Sequence, residues 1–151
     1  AKDVLGTDQY IAQEAYDGKY SAASDIFAAG VIGYRLLTSK FPFKSDIFND
    51  EAGENWVGSP KMKEIRKKIV NSKIDWSHRV FLADLQCKDL LSIMLASNEK
   101  DRPTAQQALS HVWLTSRGRR KSMVELGDIS LPNSIAGNDS DLPKLDRQTS
   151  S

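Results

Sequence analysis

The chain has 151 residues, enough for one domain with a sizeable core. Its 21 Lys and Arg against 20 Asp and Glu leave a formal net charge of +1, which removes any electrostatic case for a nucleic-acid partner. The single Cys87 cannot form an internal disulfide and reads as a small apolar filler, and His78 and His111 lack partners at metal-ligand spacing.

No apolar run approaches the roughly 20 residues that span a bilayer, so no membrane role is expected. The longest, 26–37, is broken by Gly30, Gly33 and Arg35. The chain opens on Ala1 in place of Met, which leads us to expect that its natural N-terminus lies upstream. The expected location is intracellular and cytoplasmic, with the nucleus admitted.

In chain order, residues 1–20 predict a loop with one short helical turn. A strong helix follows from Ser24, with Ser24 or Asp25 placed to cap it or fill its first turn. Its apolar residues, among them Ile26, Phe27, Val31, Ile32, Leu36 and Leu37, go round the whole helix and predict burial on all sides. The segment 40–43 ends it, because Pro42 disfavours helical geometry at Phe41. Residues 44–60 predict a surface loop, locally acidic at Asp46, Asp50, Glu51 and Glu54. Such a charge run is read first as a solvated face, and second as a contact for basic substrates.

Residues 61–72 predict an amphipathic helix carrying Met62, Ile65, Ile69 and Val70 on one side. Residues 87–96 predict another, with Leu90, Leu91, Met94 and Leu95 inward. Thr104 caps a third, with Gln107 completing a capping box and Ala105, Ala108, Leu109 and Val112 facing inward. No alternating strand pattern occurs, so the expected class is all-α. After Ser116, Gly, Ser, Asn, Asp and Pro dominate, and the composition predicts a disordered tail or linker over 116–151.

The order of these pieces resembles the C-terminal part of the large lobe of a protein Ser/Thr kinase domain, over residues 1–115. The run Lys2-Asp3-Val4-Leu5-Gly6-Thr7 into Tyr10-Ile11-Ala12-Gln13-Glu14 is similar to the end of an activation loop leading into the Ala-Pro-Glu motif. Ser24-Asp25-Ile26-Phe27 with Gly30-Val31-Ile32 resembles the central helix of that lobe, and Phe41-Pro42-Phe43 the Pro-Phe that follows it. Arg102-Pro103-Thr104 and His111-Val112-Trp113-Leu114 resemble the closing Arg and the His-x-Trp-Leu of the last helix. Each is weak alone; together, in family order, they are specific. Lys-Asp-Val before Gly6 and Leu-Leu-Thr before the Pro-Phe give it the flavour of calcium/calmodulin-dependent or calcium-dependent protein kinases.

The resemblance implies phosphoryl transfer from ATP, with Mg²⁺, to Ser or Thr of protein substrates by the complete protein. The chain contains no Gly-rich loop, His-Arg-Asp or Asp-Phe-Gly, so by itself it is expected to bind neither cofactor and to be inactive. It further implies that Glu14 and Arg102 form a structural ion pair and that Asp25 anchors the catalytic loop. Thr7 would support that loop, while Leu5, Thr7, Tyr10 and Arg35 would bind substrate. Asp3 would supply a permanent negative charge in the activation loop. Arg35 stands where kinases that select Arg two residues before the phosphoacceptor carry an acidic residue, so no such selection is expected. Each also has a plain reading: unrelated surface charges for Glu14 and Arg102, a helix first-turn residue for Asp25, a turn Thr for Thr7, a half-buried Tyr for Tyr10 and a solvated loop Asp for Asp3.

Gln13 departs from the family, replacing the Pro of Ala-Pro-Glu and relaxing a stiff loop. In the tail, Arg117, Arg119, Arg120 and Lys121 precede Ser122, which resembles a phosphosite of basophilic kinases. The resemblance admits calmodulin or a calcium-binding domain as a partner there, although Gly127 and Pro132 interrupt any amphipathic helix. The main alternative is a pseudokinase or kinase-fold protein-binding module. An unrelated α-helical adaptor is a third reading, which the ordered motifs disfavour.

Overall fold

The computed structural model describes residues 8–51 and 53–116. Among them every regular element is helical: α1 (Ala22–Thr38), α2 (Pro60–Asn71), α3 (Arg79–Ala83), α4 (Leu85–Met94) and α5 (Ala105–Leu109), linked by short 3-10 turns. Residues 112–116 turn helical again. No β-strand occurs among the described residues, in agreement with the all-α expectation. No helix among them is long and apolar enough to cross a membrane. The tail expected over 116–151 lies, after Ser116, outside the described residues.

Helix α1 starts earlier than its sequence pattern suggests. Ser21 is the N-cap, its backbone N–H donating to Ser24 Oγ at 3.2 Å, so Ser24 and Asp25 fill the first turn. It also ends before the Pro42 segment. Ser39 adopts the left-handed region at φ 60° and donates its N–H to Arg35 O at 2.8 Å, closing the last turn.

Within this chain α1 is not buried all round. Phe27, Val31 and Tyr34 are buried, but Ile32 is 49 % exposed and Leu36 79 %. One stripe of α1 is open among the described residues; on another side α4 lies against it, and the small residues Gly30 and Gly33 admit the close approach. A Cβ built at Gly30 would sit 3.1 Å from Met94 Cβ, and one at Gly33 2.8 Å from Leu91 Cδ2.

The sequence periodicity of the next two elements holds, with one exception in α2. Met62, Ile65 and Ile69 of α2 are buried, while Val70 is exposed because it lies beyond the width of that stripe. Pro60 at the first helical position and Ser59, whose Oγ accepts from Met62 N at 3.1 Å, set the start of α2. In α4, Leu90, Leu91, Met94 and Leu95 all face the core. Burial contributes about 1.5–3 kcal/mol for each such large apolar side chain.

The capping box of α5 forms as expected, Thr104 Oγ1 accepting from Gln107 N and Gln107 Oε1 from Thr104 N. Its inward stripe does not. Ala108 is buried, but Ala105, Leu109 and Val112 are exposed, because the helix ends at Leu109 after barely more than one turn. The segment 44–60 is also more ordered than a surface loop: it holds the 3-10 turn Ser45–Phe48, with Phe48 and Ser59 buried. Helix α3 lies in a stretch where no helix was expected, and its Phe81 is fully buried.

Candidate functional site

The most strongly built polar feature is a clasp around Arg102. Its side chain is wholly buried and meets the Glu14 carboxylate end-on, Nη1 to Oε1 at 2.6 Å and Nη2 to Oε2 at 2.9 Å. The other donors go to backbone carbonyls: Nε to Ala96 O at 2.8 Å, Nη1 to Ala23 O at 2.9 Å and Nη2 to Ser97 O at 3.4 Å. Every guanidinium N–H is thereby used, and the group lies over the Phe27 ring at 4.9 Å. Ser24 Oγ donates to Glu14 Oε1 at 2.9 Å. Burial pushes the Glu14 carboxyl up, but hydrogen bonds from Arg102, its own backbone N–H and Ser24, with the Arg102 charge, hold it below the usual carboxylate value.

Local sequence places each part. The 3-10 turn Gln13–Asp17, closed by Gly18 at φ 76°, presents Glu14 inward. The first two turns of α1 supply Ser24 and Phe27, and the turn Glu99–Asp101 delivers Arg102 from the far side. The structure therefore brings together the two residues paired in the sequence reading, 88 positions apart. Ser24 and Phe27 were not singled out as part of this group; nothing in their spacing marks them.

Gln13, beside the clasp, is 5 % exposed, and its Oε1 is buried with no hydrogen-bond partner among the described residues. It is the first residue of its turn, and Ala12 before it is extended at φ −68°, ψ 149°.

A second group forms around Arg35. Its Nη1 donates to Tyr10 Oη at 2.6 Å, its guanidinium lies 4.4 Å above the Phe41 ring, and Tyr10 packs edge-on to Phe41 at 5.3 Å. The two substrate-binding candidates Tyr10 and Arg35 are thus in contact, and Phe41 joins them. Asp25 is exposed in the first turn of α1, and its side chain has no hydrogen bond or ion pair among the described residues. Asp3, Leu5, Thr7 and Ser122 lie outside the described residues.

An aromatic cluster around Tyr34 of α1 secures the scaffold. Tyr34 packs on Trp76, His78 and Phe81, and its hydroxyl donates to Asp75 O at 2.6 Å. Burial, and then the Asp75 charge, push the phenol up to about 12, so it stays protonated and keeps that bond near neutral pH. Near the last segment, Trp113 Nε1 donates to Asp84 Oδ2 at 2.9 Å, and His111 meets Asp89 at 3.0 Å. Asp84 also caps α4 through Cys87 N at 3.0 Å, so these residues read as structural ties.

The family model described as "Protein kinase domain" matches residues 1–114. The chain is 32 % identical over 135 residues to calcium-dependent protein kinase 34 of Arabidopsis thaliana, covering 89 % of this chain and 22 % of that protein. It is 32 % identical over 112 residues to the serine/threonine-protein kinase PEPKR2 of the same plant, covering 74 % and 21 % respectively. Against sperm motility kinase Z of Mus musculus it is 30 % identical over 132 residues, covering 86 % and 23 %. The chain thus spans about a fifth of the length of the curated relatives it matches.

Proposed function

The chain belongs to the protein kinase domain family, and on that premise we propose that the protein carrying it transfers the γ-phosphoryl of ATP to Ser or Thr of protein substrates. The observation that carries the reading is the saturated Glu14–Arg102 clasp, lying within a stretch whose residues 1–114 match the family throughout. In this reading the clasp fixes the loop that leads into the substrate site, at the base of α1. Asp25 faces outward to receive hydrogen bonds from the catalytic loop, and Thr7 supports that loop. Leu5 and Tyr10 wall the pocket for the residue after the phosphoacceptor, and Asp3 offers its charge to the activation loop.

Complete members of the family use ATP and Mg²⁺. The described residues include no group of three His, Cys, Asp or Glu placed to hold a metal ion. The chain contains no Gly-rich loop, His-Arg-Asp or Asp-Phe-Gly, so the nucleotide and metal would be held elsewhere in the protein, and the 151-residue chain alone would bind neither. A calcium-binding partner, calmodulin or a linked domain, would act on the basic stretch before Ser122, in a cytoplasmic setting.

The test uses the full-length protein carrying this chain, with ATP, Mg²⁺ and a mixed library of Ser, Thr and Tyr peptides. Phosphate on Ser or Thr and none on Tyr is expected. Binding of ATP without transfer to any peptide would overturn the enzymatic reading in favour of a kinase-fold binding module. For the isolated chain, a shift of the melting temperature by ATP and Mg²⁺ would overturn the placement of the nucleotide elsewhere.

A further inference from the structure

Beside the Glu14–Arg102 clasp lies an open pocket of about 210 Å³, whose lining includes Gln13, Glu14, Asp17, Lys19, Arg66 and Glu99. Its walls come from the turn Gln13–Asp17, α2 and the segment 97–99, and none belongs to the stripe of α1 that exposes Ile32 and Leu36. Some of its polar groups are already used. Both Glu14 oxygens meet Arg102, and Arg66 Nε donates to Asp17 Oδ2 at 3.1 Å. Two acceptors are left over. Glu99 is half-buried, and its carboxylate has no hydrogen bond or ion pair among the described residues. Gln13 is nine-tenths buried or more, and its Oε1 has no partner there either. A buried acceptor without a donor is costly, and protein interiors rarely keep one without a use. The last side-chain torsion of Gln is broad, so the amide can turn its oxygen towards a donor that enters the pocket.

The loop 49–58 borders this pocket, since a Cβ at Gly18, between Asp17 and Lys19, would sit 3.0 Å from Val57 Cγ1. That loop carries Asp50, Glu51 and Glu54 and no basic residue, and Trp56, next to Val57, is 41 % exposed. In the lining and this border, acidic side chains therefore outnumber Lys19 and Arg66.

From this geometry we infer that the pocket is a docking site for a protein partner that inserts an arginine. The planar guanidinium has donors enough to reach Glu99 and Gln13 Oε1 together, and an aromatic side chain beside it would cover Trp56. The inference goes beyond the phosphoryl-transfer reading and does not depend on it. It also gives Gln13 a use that the proline of the family motif, with no side-chain acceptor, could not serve. At a partly solvated site the arginine is worth about three- to tenfold in affinity over a neutral residue.

The experiment probes an array of random heptapeptides with labelled full-length protein in the absence of ATP. Enrichment of Arg over Gln, next to an aromatic residue, is expected for wild type. The enriched peptides are then titrated by fluorescence anisotropy against wild type, Glu99→Lys, Gln13→Pro and Asp46→Lys. Glu99→Lys and Gln13→Pro should each bind about threefold more weakly or worse. Gln13→Pro changes no charge, so its loss cannot come from the overall field of the protein. Asp46→Lys alters an acidic residue outside the pocket lining and should bind as wild type does. Absence of Arg enrichment would overturn the inference, as would unchanged binding in either Glu99→Lys or Gln13→Pro. Equal losses in Asp46→Lys and Glu99→Lys would overturn it too, because they would mean attraction to acidic surface in general. Should Gln13→Pro fail to fold, Gln13→Ala removes the same acceptor and is read in its place. None of these readings involves phosphoryl transfer, so the docking site stands or falls separately from the kinase activity.

Discussion

Burial alone makes a carboxylate hold its proton more tightly, but a bidentate cation and further hydrogen bonds can outweigh that and leave it binding the proton less readily than in an unfolded chain. Glu14 is in that position, with Arg102, Ser24 and its own N–H all favouring the charged form. Its folded value lies below the ordinary 4.5, so its contribution to stability is complete above that pH and is lost as pH falls through the folded value. In the full-length protein, the gap in urea midpoint between wild type and Glu14→Gln should therefore be constant at neutral pH and close below about pH 4.5. Arg102→Ala leaves a buried carboxylate and a set of backbone carbonyls unpaired and should cost about 3–5 kcal/mol at pH 7. A loss below 1 kcal/mol would show the clasp to be ornamental.

Gln13 gives the opposite sign. It occupies the first position of its turn, where an N–H has no intrahelical role, and Ala12 is already extended as a residue before proline must be. Gln13→Pro removes an unpartnered buried oxygen and restricts the unfolded chain. A rise in stability of about 1 kcal/mol is expected from denaturant titration, and a loss of that size would mean that the side chain has a partner in solution.

At the scale of elements, the contact between α1 and α4 makes two glycines unequal. A methyl at Gly30 meets Met94 Cβ and Leu95 Cγ, atoms close to the backbone of α4, whereas one at Gly33 meets the flexible tip of Leu91. Alanine also gains about 1 kcal/mol of helix propensity over glycine. Gly33→Ala should therefore be close to neutral, and Gly30→Ala should destabilise by about 1–3 kcal/mol through overpacking. Equal melting temperatures for the two variants would contradict this packing. The sequence reading registered both glycines only as interruptions of an apolar run, since their use depends on which helix lies opposite.

Elements whose apolar residues recur at helical spacing over several turns, α2 and α4, were legible, as was the Thr104 capping box that satisfies its own bonds locally. Helix α3 was not, because five residues are too few to show a period. The outward turn of Leu109 was missed for the same reason, as the stripe assumed a helix longer than the one that forms. Ser39 ended α1 ahead of Pro42 because a left-handed serine leaves no compositional mark. The Glu14–Arg102 contact has no local signature at all, and only the family resemblance suggested it. Tyr10 and Arg35 were named by the same resemblance, while Phe41, which supports the Arg35 guanidinium, was read only as part of a helix stop.

For the whole molecule, the outer face of α1 is the outstanding surface. Ile32 and Leu36 are exposed one turn apart, on a helix whose other faces are core, and Asp25 is exposed at its start. In the proposed complete kinase this face would lie against the rest of the large lobe. The isolated 151-residue chain should consequently bind a hydrophobic dye and self-associate, with a broad thermal transition. A monomer with a sharp cooperative melt and no dye binding would show that the face is satisfied within the chain. Ile32→Lys with Leu36→Lys should then improve the solubility of the isolated chain while harming the full-length protein.

The clasp also bears on the order in which the chain assembles. Its partners are separated by 88 residues, so closing it early would confine a long loop before the helices between have formed. The helix caps and the i,i+4 contacts of α2 and α4 need no such closure and can organise first. Glu14 and Arg102 would then meet late, after the folding barrier is passed, like a latch dropped on a door already shut. An interaction made after the barrier does little to the speed of folding and acts instead on the rate of escape from the native state. The pair therefore governs how long the assembled lobe persists more than how quickly it is reached.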